Sequence, residues 1–238
     1  MEKLLCINIE FLFRIQKIRL ALLFPFTILF ILPLVSHAQK ASDSDPEARK
    51  ILDKLKKEYD THSSMEVTFE MVIKLNGQAE EKQKGKVIQN GNKYFVDLTD
   101  QAIYCNGEII WLHLKDNHEV QINDMDSDDE NFLTPREWIT AYEKDDFFYA
   151  ITNKSKVKNE SFTEIEFKPL SNRTEYKKMR IRVNTTKNQM DTMDFFSRDG
   201  SQYSLQILGV QFNKKYEPAL FTFDPSKFPG IHIEDLRL

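Results

Sequence analysis

Along residues 48–59 the apolar side chains Ala48, Ile51, Leu52, Leu55 and Tyr59 recur every three or four positions, with Arg49, Lys50, Lys54 and Lys57 between them. That period predicts a helix with one greasy stripe. Asp45-Pro46-Glu47 just ahead supplies a capping acid, a proline suited to the first helical position and a second acid near the positive end of the dipole. After Ser63-Ser64 the period drops to two. Val67, Phe69, Met71 and Ile73 alternate with Thr68, Glu70 and Lys74, and only Val72 breaks the pattern. Further strands are predicted over 80–89, 94–98, 101–105, 109–114 and 120–122, with Trp111 in the fifth of the six. Thr134-Pro135-Arg136-Glu137 then reads as a capping box opening a short helix through Trp138, Ile139 and Tyr142. Strands resume over 147–152, 162–168, 178–183, 190–196 and 203–210, and two proline-containing segments, 221–225 and 228–237, close the chain.

The turns agree with the strands. Four of the seven glycines follow Asn or Asp directly, at Asn76-Gly77, Asn90-Gly91, Asn106-Gly107 and Asp199-Gly200. Such pairs accept the positive φ of tight hairpins, so the order reads as an antiparallel meander. Two helices are too few to cover both faces of a parallel sheet. The expected class is mainly β with α, a curved antiparallel sheet with helices on one side.

The first forty residues belong to a different pattern. Lys3, Arg14, Lys17 and Arg19 stand against Glu2 and Glu10; Leu20–Val35 carries no charge, and Ser36-His37-Ala38 ends it with small residues at the −3 and −1 positions. This pattern reads as a secretory signal peptide, residues 1–38, with cleavage expected after Ala38. The alternative is an uncleaved membrane anchor, for which sixteen residues containing Pro25 and Pro33 are short. Residues 39–45 form a polar tether, and 46–238 one domain. At this size a domain buries roughly 70% of its unfolded surface. The formal charge of −4 becomes −6 once the leader's +2 is removed. That sign offers no broad attraction to nucleic acid. Cys6 leaves with the leader, so Cys105 has no intramolecular partner and is expected in the core as a small apolar residue.

Catalytic and metal chemistry find little support. His113 and His118 are close in sequence, but no further ligand completes a zinc spacing. Asp124-Met125-Asp126-Ser127-Asp128 imitates the start of a calcium loop, yet Asp129 and Pro135 occupy the positions that require Gly and Glu. Neither a nucleophile elbow, nor a phosphate loop, nor a metalloprotease helix is present. A binding protein without metal or cofactor is expected. An enzyme acting on glycans or lipids is the least favoured reading.

The positive signal is aromatic. Eighteen Phe, eight Tyr and two Trp serve the chain, most Phe at alternating strand positions. A solid sandwich core would use them equally well. The two amphipathic helices beside a long meander favour a cup closed by lids, a common setting for a small-molecule site.

Phe221-Thr222-Phe223-Asp224-Pro225, followed by Phe228-Pro229-Gly230-Ile231 and Asp235-Leu236-Arg237, resembles the ending of periplasmic outer-membrane lipoprotein carriers of the LolA type. Met65–Phe69, Gly85–Tyr94 and Asn106-Gly107-Glu108-Ile109-Ile110-Trp111 match in order. The resemblance implies an incomplete, half β-barrel with helices as a lid over a hydrophobic cavity. It also implies a soluble, monomeric periplasmic carrier of lipoprotein acyl chains. Such a carrier is loaded by an inner-membrane lipoprotein-releasing transporter and can unload to an outer-membrane acceptor. The family's Arg-Pro pair in the first hairpins is replaced here by Gln89-Asn90-Gly91-Asn92-Lys93, so lid control must differ.

The expected cavity residues are Val67, Phe69, Met71, Tyr94, Val96, Leu98 and Trp111 on strands, with Leu52, Leu55, Trp138 and Tyr142 on the lids. The alternative is a half-barrel sensor or regulatory domain that binds a lipid or an envelope protein.

Overall fold

The computed structural model describes residues 43–125, 140–143, 146–171, 174 and 176–237. The signal peptide, most of the tether, the acidic loop beyond Met125 and Trp138 lie outside the described residues.

Among the described residues one helix, α1 (Pro46–Asp60), precedes twelve strands. The first six are β1 (Ser64–Lys74), β2 (Glu81–Asn90), β3 (Lys93–Asp97), β4 (Gln101–Cys105), β5 (Ile109–Leu114) and β6 (Glu119–Asp124). After a short 3₁₀ turn at Ala141–Glu143 come β7 (Phe147–Val157), β8 (Glu160–Pro169), β9 (Tyr176–Asn184), β10 (Gln189–Ser197), β11 (Gln202–Phe212) and β12 (His232–Asp235). All twelve form a single sheet in the order β12-β6-β5-β4-β3-β2-β1-β11-β10-β9-β8-β7. The sheet curves without closing, which is the incomplete barrel expected. The long β1–β11 pairing joins the two halves, with a bulge between Thr68 and Phe69.

The hairpin glycines do what the sequence predicts: Gly77, Gly91, Gly107 and Gly200 have φ of 77°, 62°, 96° and 96°. Other turns reach positive φ without glycine, at His118, Lys158 and Asn188. Helix α1 starts as its cap requires, the Asp45 carboxylate accepting from the backbone N–H of Glu47 at 2.7 Å and of Ala48 at 3.3 Å. Ala48, Leu52, Leu55 and Tyr59 are its buried stripe.

One expectation changes. The meander is not wholly antiparallel, because β12 runs parallel to β6. A parallel partner needs a long crossover, and residues 213–231 provide it across the outer face of the first half. There Phe223 stacks on Phe228 with centroids 5.1 Å apart, and both rings meet His113 edge-on, at 5.3 and 4.5 Å. The C-terminal signature is thus a strap holding the sheet from outside. Burial pushes the His113 imidazole below its ordinary pKa. Most of the expected second lid lies outside the described residues; its described part is Thr140 with the 3₁₀ turn at Ala141–Glu143.

Candidate functional site

The inner face of the sheet carries two apolar clusters. The larger lies beneath α1 and takes Leu52, Leu55, Val67, Phe69, Met71, Leu98 and Tyr142 from the expected set. Val96 touches both clusters, and Tyr94 belongs to the smaller one with Ile103, Cys105, Ile110, Leu112 and Leu114. Cys105 is fully buried, its Sγ 3.5 Å from the Met125 sulfur.

Trp111 is on the wrong face. Directly opposed residues of neighbouring strands share a face. Trp111 opposes Tyr104, Tyr104 opposes Phe95, Phe95 opposes Ile88, and Ile88 opposes Glu66. Glu66 points away from α1, accepting a hydrogen bond from the Tyr216 hydroxyl at 2.8 Å. Trp111 therefore stands on the outer face, and its neighbours Ile110 and Leu112 point inward.

Reading the sequence missed the larger wall. Ile165 and Phe167 of β8, Met179, Ile181 and Val183 of β9, Met190, Met193 and Phe195 of β10, and Tyr203 and Leu205 of β11 complete the cluster under α1. Their signal was the alternation already used to predict those strands, but nothing local showed which half α1 covers. Five methionines, Met65, Met71, Met179, Met190 and Met193, lie in this cluster, and Met125 packs on the other. Unbranched, polarisable methionine adapts its shape to what it touches.

Among the described residues the inner face is tightly packed at the C-terminal end of α1. There the free space bounded by Tyr59, Val67, Phe69, Val87, Met190, Leu205 and Ile207 is ≈ 10 Å³. That is about the least that admits one water, and far below the room an acyl chain needs. The Phe69 ring fills the place a side chain at position 85 would take, since a Cβ on Gly85 would lie 2.3 Å from Phe69 Cζ and 2.7 Å from Leu98 Cδ2.

The rim of α1, in contrast, is polar. The Tyr142 hydroxyl donates to Asp53 Oδ1 at 2.7 Å, and Lys56 Nζ lies 3.2 Å from Glu143 Oε1. Asn188 Nδ2 donates to the Lys54 carbonyl at 2.9 Å, and Lys154 pairs with Glu47 at 2.7 Å. At the first turn Asp45 N–H donates to the Tyr149 carbonyl at 2.9 Å, and Asp45 Oδ2 accepts from Ile151 N–H at 3.3 Å. Burial pushes the Tyr59 hydroxyl up to about 12, and burial followed by the Asp53 hydrogen bond raises Tyr142 as well. Every described carboxylate with a displaced pKa is lowered, Glu66 and Glu166 among them; in both, donated hydrogen bonds outweigh the upward push of burial. A general acid needs the opposite displacement.

An open, curved sheet with a helix laid across its inner face defines a class of helix-lidded half-barrels, built to shelter something apolar. The family model of the outer membrane lipoprotein carrier protein LolA matches residues 60–224, and the chain belongs to that family. No curated protein sequence matches it. Among solved structures, an uncharacterized conserved protein from Thermus thermophilus is 10% identical over 79% of this chain and 99% of its own, with a TM-score of 0.53. A LolA superfamily protein from Nitrosomonas europaea is 16% identical over 74% and 98%, with a TM-score of 0.40. MucB is 11% identical over 76% and 64%, with a TM-score of 0.40; its complex with MucA is known from Pseudomonas aeruginosa. At 10% identity the likeness to the Thermus thermophilus protein is one of fold.

Proposed function

We propose that this protein is a soluble carrier of the cell envelope. It shields the acyl chains of lipoproteins between α1 and the inner face of the sheet, and moves them from the inner toward the outer membrane. Its loading partner is an inner-membrane lipoprotein-releasing transporter, and an outer-membrane acceptor is the natural recipient. Export by the leader, with cleavage after Ala38, puts the domain in the periplasm. Family membership supports this reading, and among the described residues no helix is long and apolar enough to cross a membrane.

The observation that carries the mechanism is a lid with a greasy underside and a polar rim, closed over a methionine-rich wall. Lifting α1 exposes Leu52 and Leu55, at a cost of ~3–6 kcal/mol for the two. Burying an acyl chain returns ~0.8 kcal/mol per methylene, so about four to eight methylenes offset the opening. The closed state is then stable when empty and yields only to a chain of that length. Phe69 swings from Gly85 and the methionines repack around the guest.

Carbodiimide treatment tests this directly, because it joins amines to carboxylates in contact. Coupling Lys56 to Glu143 and Lys154 to Glu47 should lock α1 and abolish solubilisation of a diacylated lipoprotein. A double variant, Lys56→Arg with Lys154→Arg, keeps the charges, resists coupling and should retain uptake after treatment. If the locked protein takes up lipoprotein as well as the untreated one, the lid mechanism is wrong. If neither form takes up any acyl chain, the sensor reading replaces the carrier.

A further inference from the structure

A cavity unconnected with α1 lies on the outer face of the second sheet half. It has a volume of ≈ 430 Å³ and sits between the β1–β2 hairpin and strands β9–β11. Small-molecule sites fall in this range. Two cross-strand rows build it. Arg180 opposes Asp194, Asp194 opposes Ser204, and Ser204 opposes Val72. Beside them Phe196 opposes Gln202, and Gln202 opposes Lys74. Register alone therefore sets a guanidinium next to a carboxylate, with a flat aromatic ring alongside.

Two polar groups of this row have bonding capacity to spare. Arg180 Nη2 donates to Glu166 Oε2 at 3.2 Å, and the guanidinium, on a side chain 30% exposed, carries further N–H donors. Asp194 Oδ1 accepts the Ser204 hydroxyl, which leaves Oδ2 for another donor. The Phe196 ring is held in place by the Lys178 ammonium, 4.7 Å from its centroid, and by the Arg180 guanidinium at 5.5 Å. Charges cancel along the lining: Arg180 faces Asp194, and Lys74 pairs with Glu80 at 3.1 Å.

We propose that this cavity is a second binding site, specific for a neutral polyhydroxy ring of the pyranose kind. Each hydroxyl of a vicinal pair donates and accepts, so it can receive from an accessible guanidinium N–H of Arg180 while giving to Asp194 Oδ2. The C–H face of the ring lies on Phe196. An anion drawn to Arg180 would meet Asp194 and Glu80, and a cation would meet Arg180 and Lys74. The site is on the opposite face from α1, so the carrier reading stands or falls separately.

Saturation-transfer NMR and calorimetry on the purified protein test it, with methyl β-glucopyranoside, cellobiose and glucuronate as probes. The two neutral sugars should bind at least about tenfold tighter than glucuronate, cellobiose standing for a ring at a glycan end. Arg180→Met, Asp194→Asn and Phe196→Leu should each weaken binding about tenfold, with circular dichroism confirming the fold. A Lys227→Ala control on the far strap should bind as the parent does. Absence of saturation transfer from both neutral sugars overturns the assignment. So does stronger binding of glucuronate, or unchanged affinity in folded Asp194→Asn and Phe196→Leu variants.

Discussion

Removing one hydroxyl from the rim of the lid should loosen it in a measurable way. Tyr142 is buried on the inner side of the 3₁₀ turn and donates to Asp53 Oδ1 on α1 at 2.7 Å. Tyr142→Phe deletes that donor and preserves the ring, which meets Tyr149 edge-on with centroids 6.1 Å apart. Hydrogen bonds to charged groups contribute ~1.5–3 kcal/mol. The lower end applies, because the Asp53 carboxylate lies at the lid margin and can take up water in place of the phenol. About 1.5 kcal/mol corresponds to roughly a tenfold shift in the lid-opening equilibrium. Local opening is read by amide hydrogen exchange. Amides of α1 should exchange about tenfold faster in the variant, with those of the central β1–β11 pairing unchanged. Association of a fluorescent fatty acid should accelerate in parallel. Equal acceleration in helix and sheet would mean that Tyr142 contributes only to global stability, and an unchanged α1 would remove it from the latch altogether.

Two further expectations concern the wall and the strap. Gly85→Val places atoms where the Phe69 ring lies; overpacking of this kind costs ~1–3 kcal/mol, to be read as a lowered urea midpoint with an unchanged slope, and a midpoint equal to the parent's would show that the ring has free space to retreat. Glu66 ties the strap through Tyr216 and Lys214. Although burial pushes it up, those hydrogen bonds hold its carboxyl below the ordinary glutamate value. A depressed folded pKa means stability that is fully present above the unfolded glutamate range and lost as pH falls through the folded value. Glu66→Gln should therefore flatten the acid side of the stability curve below about pH 4.5; curves that stay parallel down to pH 3 would show that the strap does not depend on this carboxylate.

What the chain determined by itself is local. The Asn-Gly and Asp-Gly pairs set four hairpins because a tight turn needs a residue that tolerates positive φ, and the α1 boundary followed from Asp45 and Pro46. The period-two run in β1 identified its inward face correctly, since Thr68, Glu70 and Lys74 mark the other side as polar. The same logic failed at Ile109–Leu114. That strand is apolar on both faces, because the strap of Phe221, Phe223 and Phe228 covers its outer side. Alternation then carries no sign, and the Asn106-Gly107 register turned Trp111 outward. Nor could local pattern foresee β12, whose parallel partner is reached only after the chain crosses the sheet. The site divides in the same way. Leu52, Leu55, Val67, Phe69 and Met71 were legible from periodicity, but the β8–β11 wall joins them only because β11 returns to pair with β1. Whether the cup stands empty or filled was a matter for packing alone. Side chains from seven strands and a helix must meet before any volume exists to measure, and beside Tyr59 they meet closely enough to leave ≈ 10 Å³.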